Sequence, residues 1–133
     1  MEHLLEKQFT RSIGVSNYNI DNLFYILSIC KIKPVVNEVE FHPYLFQNDL
    51  KCFCDSENIK IFAYNPLSNG NYNKNINLQN KFEGYLETPL QYLAKVYIST
   101  RTTIILNWHM TLNIVPILGK KTKDNYIIKI ICF

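Results

Sequence analysis

Between Arg11 and Gly70 the chain alternates short apolar runs with longer amphipathic stretches, and each apolar run ends in a polar cluster. The resulting order is strand, helix, strand, helix, strand. A helix between two strands implies a right-handed crossover that leaves the two strands parallel. This alternation therefore predicts an α/β fold whose strands form a parallel sheet.

The first amphipathic stretch predicts a helix that begins soon after Asn17 and is stopped by Pro34. Asn19 and Asp21 are residue types that cap the start of a helix. Apolar residues follow at the i, i+3, i+4, i+7 spacing of one buried face. These residues are Ile20, Leu23, Phe24, Leu27 and Cys30. We expect this face to pack on the sheet.

Two further strands follow in the same repeat. Val35 to Phe41 is a short apolar strand on which Glu38 and Glu40 share one face, because side chains alternate with a period of two. The strand Lys60 to Tyr64 is bounded by the breaker Pro66. Between the two strands, the helical stripe recurs at Leu50, Phe53 and Cys54.

The second half of the chain is less regular. Residues 69–80 are rich in asparagine and predict a mobile loop. Thr88 and Gln91 form a capping box around Pro89, which predicts that a helix begins there. Its buried side chains are expected to be Leu93, Ala94 and Tyr97.

Another helix and a fourth strand complete the pattern. The helix contains Ile104, Ile105 and Trp108, and the strand runs from Ile114 to Leu118. The sequence thus predicts four strands and about four helices.

Composition limits the kinds of protein that the chain can represent. Its 133 residues are about half of the roughly 250 that a complete eight-stranded α/β barrel needs. The net charge of +3 comes from scattered Lys and Arg residues, which argues against a nucleic-acid partner. No apolar run approaches the ~20 residues that span a bilayer, and the amino terminus lacks the core of a signal peptide. We therefore expect no membrane partner and a cytoplasmic location.

The four cysteines show no CxxC pair. They are Cys30, Cys52, Cys54 and Cys132. Cys52 and Cys54 lie two residues apart on a predicted helix and should point to different sides. We expect buried free thiols and no metal site.

Three strand ends carry recognisable sequence motifs. They read IGVSN at Ile13 to Asn17, VVNEVEFHPY at Val35 to Tyr44, and IFAYNPLS at Ile61 to Ser68. They closely resemble the aldo-keto reductase family, and the resemblance covers nearly the whole chain. It implies a partial (β/α)8 TIM barrel with about four parallel strands, in which residues 1–133 are the carboxyl-terminal half, strands five to eight, with 69–80 as an Asn-rich loop.

The resemblance also implies roles for residues at the strand ends, where such barrels bind ligands. Ser16 and Asn17 match the pair that hydrogen-bonds the nicotinamide carboxamide, although capping of the next helix is a competing explanation. Tyr64 matches the ring that stacks on the nicotinamide, with an ordinary core tyrosine as the alternative. Asn65 and Leu67 match the start of the loop that folds over the pyrophosphate.

Glu38 departs from the family pattern, which usually has Gln at this position. Gln both donates and accepts hydrogen bonds, whereas an ionised Glu only accepts, so the grip on the cofactor should weaken. In the alternative reading, Glu38 pairs with a Lys inside the barrel and is purely structural, since a buried unpaired carboxylate is costly.

The lysine cluster after the last strand matches the region that clamps the adenosine 2′-phosphate. It contains Lys120, Lys121 and Lys123, together with Thr122. A solvated basic turn is the competing interpretation. The resemblance implies NADP as the cofactor. The family's further Arg is replaced around Asn125, which weakens the preference for NADP over NAD, so NAD stays possible.

No segment matches the family's catalytic Tyr, Lys, Asp and His, which lie on the first four strands. His42 lies in a structural His-Pro turn and His109 on a helix, and neither is expected to be catalytic. The resemblance therefore implies an NADP-dependent reductase of aldehydes or ketones, in which this half supplies cofactor contacts beside a missing amino-terminal half-barrel. The alternatives are a non-catalytic half-barrel that binds another chain or itself, and a fragment without independent function.

Overall fold

The computed structural model describes residues 1–69 and 83–119, with the backbone alone for residues 83–88. Four strands form one sheet in the order β1-β2-β3-β4, and every neighbouring pair is parallel. The strands are β1 (Gly14–Ser16), β2 (Val36–Glu40), β3 (Lys60–Tyr64) and β4 (Val115–Pro116). The helices are α1 (Glu2–Glu6), α2 (Ile20–Ile29), α3 (Asn48–Ser56), α4 (Glu83–Val96) and α5 (Arg101–Thr111). The predicted parallel α/β arrangement is confirmed.

The strand register sets which side chains share a face. Ser16 lies beside Glu38, and Glu38 lies beside Phe62, so these three side chains project from the same face of the sheet. The approach of β1 to β2 is close at Gly14, where an added Cβ would lie 2.8 Å from the Val36 carbonyl oxygen. Only glycine fits at this position without moving β1.

The hydrophobic core lies on the other face of the sheet, under α2, α3 and the end of α5. It consists of Leu23, Val39, Phe41, Leu50, Cys54, Ile59, Ile61, Ala63 and Ile114. Partly buried Ile20, Leu27, Phe53 and Trp108 pack against it. The predicted stripes of α2 and α3 are thus confirmed, except that Phe24 is 69% exposed. Within residues 1–69 and 83–119, no neighbouring element covers the Phe24 side chain.

The predicted start of α4 is wrong. The helix begins at Glu83 and contains Pro89, instead of beginning at the capping box around that proline. A cap contributes only about 1 kcal/mol, so it marks a favourable start but does not prevent a helix from extending upstream. Leu93 and Tyr97, predicted to be buried, are exposed, and Ala94 is half-buried.

Two smaller expectations also change. β4 is shorter than predicted, although the Ile117 amide beyond it still donates to the Ala63 carbonyl at 2.8 Å. The cysteines are free within the described residues, but only Cys54 is buried, while Cys52 is exposed on the opposite side of α3.

No helix within residues 1–69 and 83–119 is both long and apolar enough to cross a membrane.

A buried histidine joins α5 to the end of β2. His109 is fully buried, and its Nε2 lies 2.9 Å from the Phe41 carbonyl oxygen, while its Nδ1 lies 2.8 Å from the Ile105 carbonyl oxygen. A neutral ring donates to one of these oxygens and an imidazolium to both. The contact with Phe41 links α5 to the residue that directly follows β2.

We expect His109→Ala to lower the free energy of unfolding by roughly 2–4 kcal/mol, because it creates a cavity and removes a donor from a buried carbonyl. Met110→Ala on the exposed side of the same helix is the control and should change it by less than about 0.5 kcal/mol. Urea denaturation measures both. Equal losses in the two variants would contradict the role assigned to His109.

Candidate functional site

The carboxyl end of β1 is fixed by one carbonyl group of the neighbouring strand. The Glu38 carbonyl oxygen accepts hydrogen bonds from the Asn17 amide at 2.8 Å and from the Ser16 hydroxyl at 3.0 Å. Asn17 adopts a left-handed backbone with φ of 57°, a conformation that asparagine tolerates better than most residues. Both residues are thereby held at the tip of the strand.

A buried asparagine of β2 holds the turn that follows β1. Asn37 is fully buried, its Oδ1 accepts the Tyr18 amide at 3.3 Å, and its Nδ2 donates to the Tyr18 carbonyl at 2.8 Å. The Asn37 side-chain amide therefore satisfies both backbone groups of Tyr18, as a neighbouring strand would. It also hydrogen-bonds the Cys54 thiol, whose pKa is raised chiefly by burial.

The competing explanation for Ser16 and Asn17, capping of the next helix, does not match the geometry. Asn19 caps α2, with its Oδ1 accepting the Asn22 amide at 2.8 Å and the Asn22 side chain returning to the Asn19 amide. The hydroxyl of Ser16 and the side chain of Asn17 are directed elsewhere.

Tyr64 connects the ends of two strands that are not neighbours. Its hydroxyl donates to the Asn17 Oδ1 at 3.1 Å, so the tyrosine at the end of β3 reaches across β2 to the end of β1. Tyr64 is half-buried, unlike a core tyrosine. Three of the predicted site residues, Ser16, Asn17 and Tyr64, are therefore brought together.

Glu38 lies beside this group on the open face of the sheet. Its side chain is half-exposed and borders a groove of about 600 Å³, which Gly14, Ser16, Val36 and Phe62 also line. Within residues 1–69 and 83–119, the lysines that form ion pairs do so with Glu57 and Asp55. The structural alternative, a Lys partner for Glu38, is not found in this part of the chain.

The segment that follows Tyr64 folds back on itself. Asn65 donates from Nδ2 to the Glu40 Oε1 at 2.6 Å and accepts the Asn69 amide on its Oδ1 at 2.8 Å. Pro66 is buried and Leu67 is half-buried. The side-chain amide of Asn65 is thus used within the protein at both ends.

Glu40 forms a second polar group together with His42. The same Glu40 Oε1 lies 3.3 Å from the His42 Nε2, and the Glu40 carbonyl accepts from the Gln47 side chain at 2.7 Å. Sequence reasoning noted the face of Glu40 but missed these contacts. The sequence did contain a signal for the contact between Glu40 and His42. A carboxylate and a histidine two residues apart at the end of a strand can project to the same side.

A family model for the Aldo/keto reductase family matches residues 1–127 of the chain. The chain belongs to the aldo/keto reductase family. Aldose reductase C of Dictyostelium discoideum is 41% identical over 108 residues, which make up 81% of this chain and 30% of that protein. Aldo-keto reductase family 1 member A1-A of Danio rerio is 37% identical over 117 residues, 88% of this chain and 36% of that protein. The chain thus spans about a third of the length of these relatives.

Solved structures of aldo-keto reductases have the same fold. MGS-M4, from a Medee basin deep-sea metagenome library, superposes with a TM-score of 0.74 at 33% identity, covering 87% of this chain and 40% of that one. A silkworm (Bombyx mori) aldo-keto reductase complexed with NADPH gives 0.75 at 30% identity, covering 92% and 37%. The four strands and their helices are accordingly part of an aldo-keto reductase TIM barrel.

The remaining aldo-keto reductase positions named from the sequence are Lys120 and Lys121. Both lie outside the described residues, as do Lys123 and the Asn-rich segment beyond Asn69. The assignment of these lysines to a phosphate clamp stays a prediction.

His42 makes the stability of this aldo-keto reductase chain sensitive to pH. Burial lowers the pKa of His42 below its usual 6.5, and the hydrogen bond to Glu40 opposes this in part. The unfolded chain therefore binds the His42 proton more readily than the folded chain does. The contribution to stability is fully present above about pH 6.5 and is lost as the pH falls below that value.

We expect His42→Gln to reduce the loss of unfolding free energy between pH 6.5 and pH 5, because Gln does not titrate there. His3→Gln is the matched control, because His3 is exposed on α1 and its only described ion pair, with Glu6, lies on the surface, where such pairs contribute little to stability. Urea denaturation across this pH range measures both. The same slope in His42→Gln as in the unchanged chain would refute the assignment.

Proposed function

We propose that this chain is the cofactor-holding half of an NADP-dependent aldo-keto reductase, corresponding to strands five to eight of its barrel. The observation that carries the proposal is the convergence of Ser16, Asn17 and Tyr64 at the carboxyl ends of β1 and β3. These are the strand ends at which parallel barrels bind their ligands. The NADPH complex of the silkworm relative supports the choice of cofactor.

The described residues fit a nicotinamide in three respects. Asn17 keeps its Nδ2 without a hydrogen-bond acceptor among the described residues, while its Oδ1 is held by Tyr64. The Ser16 hydroxyl lies beside it and retains acceptor capacity. The half-buried ring of Tyr64 offers an aromatic surface. A carboxamide needs an acceptor and a donor, and a nicotinamide ring needs a flat apolar surface.

In the whole enzyme, the reduced nicotinamide would supply a hydride to an aldehyde or a ketone. In this chain, Ser16 and Asn17 would orient the carboxamide, and Tyr64 would fix the plane of the ring. Lys120 and Lys121 would hold the phosphate of the adenosine end. The proton donor would come from strands one to four of the barrel.

A second candidate is a non-catalytic half-barrel that pairs with another chain, itself included. It is favoured by β1, which has one neighbouring strand in the described sheet, and by exposed Phe24, Tyr25 and Ile29 on the adjacent helix. Unpaired strand edges promote association. Sedimentation of the 133-residue chain with and without NADPH separates the two candidates. In either case, a cytoplasmic location stays a prediction.

We expect Tyr64→Ala to raise the dissociation constant for NADPH by a factor of roughly 2–10, because an aromatic contact contributes roughly 0.5–1.5 kcal/mol. Tyr25→Ala, which removes an exposed tyrosine from α2, is the matched control and should leave binding unchanged. Titration of NADPH fluorescence measures both. Unchanged affinity in Tyr64→Ala would exclude the stacking role, and no binding by the unchanged chain would count against the proposed function.

Glu38→Gln should tighten NADPH binding by a factor of roughly 3–10, since an amide can donate to the carboxamide as well as accept from it. Glu6→Gln makes the same change in charge at an exposed position of α1 that does not line the groove, and it should have no effect. A gain shared by both variants would indicate general electrostatics rather than a contact made by residue 38.

A further inference from the structure

We propose that Glu40 is a positioning residue that holds the segment 65–69, called here the Asn65 loop, in the conformation that receives the cofactor's pyrophosphate. This inference rests on the proposed function. It concerns a carboxylate to which the sequence and the family resemblance assign no role. Its basis is the set of contacts that converge on one oxygen atom of Glu40.

The Asn65 loop has a backbone that needs external support. Asn65, Ser68 and Asn69 have φ values of 50°, 46° and 52°, all in the left-handed region. That region costs roughly 1–2 kcal/mol for an ordinary residue, although asparagine tolerates it better than serine. Such a loop keeps one shape only where surrounding contacts over-determine it.

Asn65 is the residue through which this support acts. Its Oδ1 accepts the Asn69 amide and so closes the loop, while its Nδ2 donates to the Glu40 Oε1. The second contact, at 2.6 Å, is short for an N–H···O hydrogen bond, in line with the shortening that a carboxylate acceptor produces. Because both ends of its amide are engaged within the protein, the Asn65 side chain shapes the loop.

Glu40 is itself held from two further directions. His42 donates from Nε2 to the same Oε1, and the Gln47 side chain donates to the Glu40 backbone carbonyl. The His42 Nδ1 is buried and has no hydrogen-bond partner among the described residues, so this ring's one described polar contact is with Glu40. The carboxylate is therefore a fixed anchor.

The position of Glu40 in the sheet couples the loop to the nicotinamide end of the site. Glu40 is the strand partner of Tyr64, the residue directly before the loop. A carboxylate anchored on β2 thus sets the direction in which the chain leaves the Tyr64 ring. Glu40 would keep the Tyr64 ring and the backbone of the Asn65 loop at a constant separation.

Amide hydrogen exchange of the 133-residue chain tests the anchoring directly. In Glu40→Ala, we expect the Asn69 amide to exchange at least tenfold faster, while amides in β2 and β3 keep their rates. Glu40→Gln keeps an acceptor oxygen and should stay within about threefold of the unchanged chain. Glu57→Ala, which breaks the surface pair with Lys33, is the control and should leave the Asn69 amide unaffected. Unchanged Asn69 exchange in Glu40→Ala would overturn the proposal.

Two ligands separate loop positioning from a general structural role. Glu40→Ala should weaken binding of NADPH about tenfold and leave binding of reduced nicotinamide mononucleotide unchanged, because the mononucleotide has no pyrophosphate. Equal weakening for both ligands would overturn the proposal in favour of general destabilisation. Binding of neither ligand by the unchanged chain would overturn the proposed function and the phosphate role, while Asn69 exchange would still decide whether Glu40 anchors the loop.

Discussion

The pairing of the buried Asn37 side chain with the backbone of Tyr18 is the interaction on which the site most depends. Asn37 lies on the core face of β2, and its amide satisfies both backbone groups of a residue in the turn between β1 and α2. A buried amide without partners would be strongly destabilising, so the turn and the strand determine each other. The tip of β1, with Ser16 and Asn17, is held in place by this pairing.

Much of the fold follows from periodicity in the sequence. The apolar stripes of α2 and α3 and the alternation in β2 indicate their buried faces correctly, because those faces contact the sheet directly. Phe24 and the start of α4 are predicted wrongly, because both depend on what surrounds the element. Local spacing contains no information about a neighbour that is distant in sequence.

The candidate site divides in the same way. The sequence motifs at the strand ends pointed to Ser16, Asn17 and Tyr64. The fold brings these residues together at the ends of β1 and β3. The motifs could not reveal that Asn65 uses its side chain for Glu40, since those two residues are 25 positions apart. Residue identity therefore indicated which side chains lie together at the strand ends, while the direction of each hydrogen bond required the three-dimensional arrangement.

The close contact at Gly14 limits which substitutions natural variants of the gene can tolerate. Because a side chain at this position would collide with the Val36 carbonyl, every replacement disturbs the pairing of the first two strands. Among naturally occurring alleles, Gly14 should therefore be invariant wherever the folded chain contributes to fitness. If the reading frame has instead lost its use to the cell, this codon should accumulate missense changes at the same rate as codons for exposed residues.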